Sequence, residues 1–261
     1  MSTHLHEREN LLPWHAKPWE RLMKYVQRGR MPHALFLSGN SGVGKTLLVR
    51  QFANTLLCTG SRTKEGLACG RCSACTLFRA GTHPDFSVVA PKQADKGIAI
   101  DAIRELSAAL ALRAQYGGHR VVIISPAHRM TAAAANSLLK TLEEPVERTV
   151  IVLISHSPYI MPATILSRCQ KIHIDLPSRS VAIQWLRALK ITNDADGLLS
   201  AAMGAPLLAV ELSDNACMAR RQTLYETLFM EWATNPVTGE SLPAAARRGC
   251  GEPRRGPDRA A

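Results

Sequence analysis

The sequence predicts a doubly wound α/β domain, a mostly parallel sheet with helices on both faces, followed by a smaller all-helical unit. Three observations carry this expectation. Short, wholly apolar runs alternate with segments of helical spacing as far as Ile174. A glycine-rich loop joins the first of those runs to a helix. After Pro177 the apolar spacing is helical throughout. With 261 residues, 46% of them hydrophobic, the chain is long enough for one large or two ordinary cores and has a globular composition.

Taken in order, residues 18–28 form a helix that stops near Gly29 and Pro32. Ala34-Leu35-Phe36-Leu37-Ser38 is a buried-type strand. The glycine-rich loop follows, then a helix over 46–57 with Leu47, Leu48, Phe52, Ala53, Leu56 and Leu57 as its apolar residues. A cysteine-rich excursion fills 58–75, and a short strand lies at 86–89. Ile103, Leu106 and Leu110 give residues 101–112 helical spacing, and 120–124 is a second buried-type strand. Residues 131–144 form an Ala- and Leu-rich helix, opened by the capping residue Thr131 and stopped by Pro145. A strand at 149–154, a short helix at 162–168 with proline in its first turn, and a strand at 170–174 complete the domain.

Residues 178–190, 194–202, 205–213 and 218–233 then read as successive helices. The expected organisation is a nucleotide-binding domain over 1–176 with its insert at 58–75, a helical lid over 177–213, the start of a further helical domain over 214–234, and a tail over 235–261. The tail is rich in Ala, Arg, Gly and Pro and has no apolar periodicity. Leu224, Leu228 and Trp232 give the preceding helix a greasy face that needs a partner. A third domain cut short by a shifted reading frame is one expectation, an ordinary disordered basic tail the other.

The net charge of +11 favours an anionic partner, DNA or nucleotide. No apolar stretch reaches bilayer-spanning length, and the first ten residues are polar and charged. Neither a membrane span nor a signal peptide is expected, and a cytosolic location follows.

Gly39-Asn40-Ser41-Gly42-Val43-Gly44-Lys45-Thr46 is a complete phosphate-binding loop in its strand–loop–helix context. Such a loop holds polyphosphate through converging backbone N–H groups, a helix N-terminus and one lysine. Gly39, Gly42 and Gly44 let the backbone curl closely, Lys45 would reach the β and γ phosphates, and Thr46 would offer its hydroxyl to Mg2+. Hydrolysis also needs a carboxylate at the end of a neighbouring strand. Val121-Val122-Ile123-Ile124 runs instead into Ser125-Pro126-Ala127-His128. Serine is a poor magnesium ligand, proline has no side-chain acceptor, and imidazole does not replace a hard oxygen. Asp101 and Glu105 are carboxylates that nothing in the sequence places at a strand end. The expectation is a nucleotide that is held but turned over slowly or not at all.

Cys58, Cys69, Cys72 and Cys75 have a spacing suited to a tetrahedral zinc ion, whereas Cys169, Cys217 and Cys250 are scattered. Four thiolates fill the coordination sphere, so the ion would staple the excursion and leave no open position for catalysis. Arg168, in Ser167-Arg168-Cys169, ends a short helix just before a strand. By spacing alone it is a cation complementing a helix C-terminus. The sharper alternative is a finger reaching a nucleotide on an adjacent subunit.

The loop, the four cysteines, Gly81-Thr82-His83-Pro84-Asp85, the run from Ala134 to Pro145 (Ala-Ala-Asn-Ser-Leu-Leu-Lys-Thr-Leu-Glu-Glu-Pro) and Leu166-Ser167-Arg168-Cys169 closely resemble the bacterial DNA polymerase III clamp loader family over about residues 10–233. The resemblance is greatest to its delta-prime type. The gamma/tau type, the active ATPase, has an Asp-Glu pair where this chain has Ser125-Pro126, and Thr82-His83-Pro84-Asp85 fits delta-prime better. The resemblance implies an AAA+ fold of α/β ATPase domain, helical lid and helical collar. It implies a five-membered hetero-oligomeric ring with gamma/tau and delta subunits, which opens the sliding clamp and sets it around primed DNA as part of a nucleotidyltransferase holoenzyme. Within that ring it implies a stator without intrinsic ATPase activity, Arg168 serving the neighbouring gamma ATP site. It also implies structural Zn2+ on the four cysteines, while ATP or ADP with Mg2+ is the ligand expected in the loop.

Two departures stand out: an intact phosphate loop is not shared by all delta-prime subunits, and most of the collar is absent, which would weaken assembly. Two alternatives remain open. One is a gamma/tau-type active ATPase, favoured by the loop and opposed by Ser125-Pro126. The other is a zinc-containing DNA-binding module acting alone, resting on charge and cysteines but lacking an aromatic-basic platform.

Overall fold

Five short parallel strands organise the molecule, seen in a computed structural model that describes residues 11–93, 96–111, 118–191 and 194–214. They are β1 (Ala34–Ser38), β2 (Phe86–Val89), β3 (Arg120–Ile124), β4 (Thr149–Ser155) and β5 (Gln170–His173), in the order β2-β3-β4-β1-β5. Every neighbouring pair is parallel. The register sets Leu37 beside Ile154 and Ile172, and Ser38 beside Ser155 and His173. The two central strands β1 and β4 are buried along their whole length, which is why they read as unbroken apolar runs.

Side chains alternate across the sheet and build two cores. Leu35, Leu37, Val121, Ile123, Val150 and Val152 meet α1 (Ala16–Gln27) and α2 (Lys45–Leu57) on one face. Phe36, Val122, Ile124, Ile151 and Leu153 meet α4 (Ile100–Leu110) and α5 (Ala132–Glu143) on the other. This is the doubly wound, parallel α/β layout that the sequence predicts. Thr131 caps α5 as expected, its hydroxyl accepting from the Ala134 amide at 3.2 Å, a contact of about 1 kcal/mol.

Three details differ from the sequence expectation. The cysteine excursion ends in a helix, α3 (Ser73–Arg79), because the Cys72 sulfur accepts from the Cys75 amide and caps its first turn. The short α6 (Ala163–Leu166) has Pro162 as its N-cap rather than within its first turn. The fourth helix begins at Ile100 and ends at Leu110, two residues short of the expected end.

Beyond β5, α7 (Arg179–Ala188), α8 (Ala195–Ala201) and α9 (Pro206–Asp214) pack on one another through Ala182, Leu186, Leu198, Leu199, Ala209 and Val210. Arg179 forks onto Asp196 to join α7 to α8. This helical unit rests on the phosphate loop: the Leu207 amide donates to Gly42 O at 3.0 Å. Trp185 of α7 meets the edge of Trp14 at a centroid distance of 5.2 Å. The helix expected over 218–233, with Leu224, Leu228 and Trp232, and the tail over 235–261 lie outside the described residues, as do residues 1–10, Cys217 and Cys250.

Candidate functional site

The loop leaves the C-terminal end of β1 and turns into α2. At Gly39 (φ 148°) a Cβ would stand 2.5 Å from Ile174 O, so only glycine lets the backbone turn against the chain leaving β5. Gly44 caps α2 in the left-handed region (φ 84°), where a Cβ would lie 2.7 Å from Leu12 Cδ1. Residues 12–15 buttress the loop from outside. Trp14 Nε1 donates to Val43 O at 2.9 Å, and His15 Nε2 lies 2.9 Å from the same oxygen. A carbonyl oxygen only accepts, so the His15 proton sits on Nε2. Burial holds the His15 imidazole below its ordinary basicity, with the Val43 contact opposing.

Lys45 is buried, and its Nζ donates to Gly39 O at 2.8 Å and Asn40 O at 2.6 Å. Burial pushes its ammonium down to about 8. A cavity of about 260 Å³ opens beside it, lined by Gly42, Lys45 and Thr46, by Ser125 and Pro126 beyond β3, and by His156 beyond β4. Leu207 and Glu211 of α9 close the remaining side. Glycines that admit no Cβ, a helix N-terminus, a buried lysine and the Thr46 hydroxyl form a donor set that fits a nucleotide's phosphates. The expected Ser125-Pro126 stand at the strand end, while Asp101 and Glu105 are exposed on α4 and do not line the cavity.

The sequence reading missed a pair of imidazoles. His128, in the turn after β3, and His156, after β4, meet edge to face at 4.1 Å between centroids. His128 Nδ1 lies 3.0 Å from Ser155 Oγ, which also accepts from the Ser157 amide at 3.0 Å. Burial lowers the basicity of both rings; His156 and nearby Arg129 and Lys45 lower His128 further, and Lys45 lowers His156. The available signal was positional, since both histidines follow the C-terminal ends of parallel strands, where open α/β sheets bind ligands.

The four cysteines come together as expected. Their Sγ atoms all lie within 4.8 Å of one another, with Cys58 to Cys72 at 3.9 Å and Cys69 to Cys75 at 4.0 Å. A tetrahedral ion with metal–sulfur bonds of about 2.3 Å needs sulfurs about 3.8 Å apart. Amides of Cys69, Cys72 and Cys75 each donate to the preceding cysteine's sulfur at 3.3–3.4 Å. Burial opposes ionisation of Cys72, but the Cys75 amide and Thr59 outweigh it and bring the thiol down to about 5. Burial and the neighbouring Cys72 push Cys75 up. Crowded thiolates of this kind are relieved by a dication. Trp19 Nε1 ties the insert to α1 through Glu65 O at 3.2 Å.

Arg168 stands at the surface after α6. Its Nη1 donates to Thr164 O at 2.9 Å, a carbonyl of α6, and its Nη2 meets Glu143 Oε1 at 2.7 Å. It does not line the cavity of its own chain. Cys169 beside it is buried, which pushes its thiol up to about 11, and it belongs to no metal cluster among the described residues. In the Gly81–Asp85 segment His83 and Asp85 are buried: the Asp85 amide donates to His83 Nδ1 at 3.1 Å, and Arg120 Nε lies 3.9 Å from Asp85.

A family profile described as DNA polymerase III, delta subunit, matches residues 14–178. The delta' subunit from Pseudomonas aeruginosa is 39% identical over 220 residues, covering 83% of this chain and 66% of that protein. The chain belongs to the DNA polymerase III delta' family. A second delta' subunit, from Escherichia coli K12, is 36% identical over 219 residues, covering 83% of this chain and 65% of that one. Against the tau/gamma subunit of Haemophilus influenzae the identity is 34% over 149 residues, covering 57% of this chain and 21% of the relative. The chain thus spans just under two thirds of the first two delta' relatives. The delta' match includes the loop, the cysteine cluster and Arg168, all between residues 14 and 178.

Proposed function

We propose that this chain is the stator of the DNA polymerase III clamp loader, in a cytoplasmic hetero-oligomeric ring with gamma/tau and delta subunits that sets the sliding clamp on primed DNA. In this reading Gly39–Thr46 hold a nucleotide without cutting it, Zn2+ sits on Cys58, Cys69, Cys72 and Cys75, and Arg168 serves the ATP site of the adjacent gamma subunit. One observation carries the reading: the strand ends beside Lys45 present Ser125, Pro126 and His156, not carboxylates, whereas Arg168 stands at the surface away from that cavity. With no metal-holding carboxylate on those strand ends, the loop has nothing there to build the metal shell that hydrolysis requires. If Arg168 acts on a nucleotide, its place outside this cavity makes that nucleotide another chain's. Consistent with a location away from membranes, no single described helix is long and apolar enough to span a bilayer.

The test is reconstitution with gamma and delta subunits. Arg168→Ala is expected to leave the fold and nucleotide binding of this chain intact and to lower loader ATPase by more than about twofold. Unchanged loader ATPase removes Arg168 from the mechanism. Lys45-dependent turnover by the isolated chain, at the rate of an active motor, favours the gamma/tau-type alternative instead.

A further inference from the structure

The cavity beside Lys45 is lined by that one fixed cation and by neutral donors, and the strand ends that border it carry no carboxylate. Lys45 approaches from α2, His156 from the end of β4, and Ser125 from the end of β3. His128 and Arg129, on the turn after β3, lie behind His156, with the His128 ring edge to face against it. Ser155 holds His128 in place through the 3.0 Å contact to Nδ1. Among the described residues one acid faces this group, Glu211 on α9, and the hydrogen bond from the Leu207 amide to Gly42 O fixes that helix at the cavity rim. Magnesium takes hard oxygen ligands and is repelled by neighbouring cations. Phosphate oxygens, in contrast, accept from imidazole N–H groups and from ammonium. His156 is exposed at the cavity edge, so an incoming ligand reaches its ring without rearrangement of the sheet.

We propose that this cavity takes a nucleoside di- or triphosphate free of metal, with His156 binding its outermost phosphate and His128 positioning the His156 ring. The proposal deepens the phosphate-loop reading and rests on it. Lys45 supplies positive charge beside the phosphates, and His156, whose basicity burial lowers, adds a neutral imidazole N–H donor. The same arrangement leaves no water-activating metal shell at the strand ends, so binding without turnover follows from a single cause.

The experiment is a fluorescence titration of the full chain with N-methylanthraniloyl-ADP, in EDTA and in magnesium chloride. The Kd in EDTA is expected to be no weaker than about threefold relative to magnesium. His156→Ala is expected to weaken metal-free binding by about tenfold, the scale of a charge-assisted hydrogen bond. His156→Gln, which keeps an N–H donor, recovers most of that loss. The melting midpoints of both variants show that the fold is kept. Lys45→Ala removes binding in both buffers. Binding that magnesium strengthens tenfold or more overturns the proposal while the phosphate-loop reading stands, and Glu211→Gln abolishing that magnesium effect assigns the metal to the lid carboxylate. A wild-type Kd for His156→Ala overturns it as well. Absence of binding in both buffers overturns this proposal and the phosphate-loop reading together, with the Arg168 measurement on the assembled loader left independent of either.

Discussion

Lys45 and Arg168 are both cations at the end of a β-strand's connecting turn, and the protein treats them in opposite ways. Lys45 is 8% exposed, and its bonds go to its own loop's carbonyls, Gly39 O and Asn40 O. The Arg168 side chain is 36% exposed and is held by one carboxylate, Glu143, that is itself half in solvent. A buried ammonium with only carbonyl partners is costly and gains most from an anion delivered to it. A solvated guanidinium in a surface pair is nearly neutral in energy and is cheap to redirect. In the proposed reading one cation is committed to a ligand of this chain and the other to a neighbouring subunit.

The sharpest way to break that contrast is substitution of the buried member. Lys45→Ala is expected to cost at least about a hundredfold in nucleotide affinity, since it removes a charge-assisted contact inside a desolvated site. In the assembled loader it should leave untouched the step proposed for Arg168. Equal loss of loader ATPase in Lys45→Ala and Arg168→Ala would erase the distinction.

Titration tests the buried member next. The Lys45 ammonium is the charged form and burial brings it down to about 8. Below pH 8 it is protonated and binds phosphate; above, the neutral amine grows and affinity is expected to fall, by up to about tenfold per pH unit. Titrations at pH 7, 8 and 9 measure this. Flat affinity across that range would place the lysine outside the binding step.

Stability offers a third measure. His15 binds a proton less readily when folded than its ordinary value of 6.5. The unfolded chain therefore takes up the proton first, and stability is complete above pH 6.5 and declines below it, by about 1 kcal/mol per pH unit at most. Urea midpoints at pH 7.5 and 5.5 should show the drop, and His15→Gln should reduce it, the remainder coming from other histidines of lowered basicity such as His128 and His156. The smallest effect belongs to the surface pair: Glu143→Gln should change the unfolding free energy by less than about 1 kcal/mol. A larger loss would mean that Arg168 is a structural brace after all.

The strands were legible because parallel strands covered on both faces must be continuously apolar. Ala34–Ser38 and Arg120–Ile124 stand where that pattern sets them, whereas Phe86–Val89 is a half-exposed edge strand. The cysteine cluster was legible for a different reason: its sulfurs meet across a short stretch of chain, so spacing stands in for geometry. The imidazole pair was not, because His128 and His156 are brought together only by β3 lying beside β4. The buttress of Trp14 and His15 on Val43 was equally hidden, since two side chains from the chain's beginning meet a carbonyl 28 and 29 residues away. Helix α3 escaped because a cysteine sulfur is not among the usual capping residues.

The Trp14 ring has a mechanical consequence. Its nitrogen clips the carbonyl of Val43 while its edge carries Trp185 of the three-helix unit. Hinging of those helices would pull on the same indole that braces the glycine turn, alongside the direct bond from the Leu207 amide to Gly42 O. Emission from these two tryptophans offers a built-in gauge of that hinging, with no label attached.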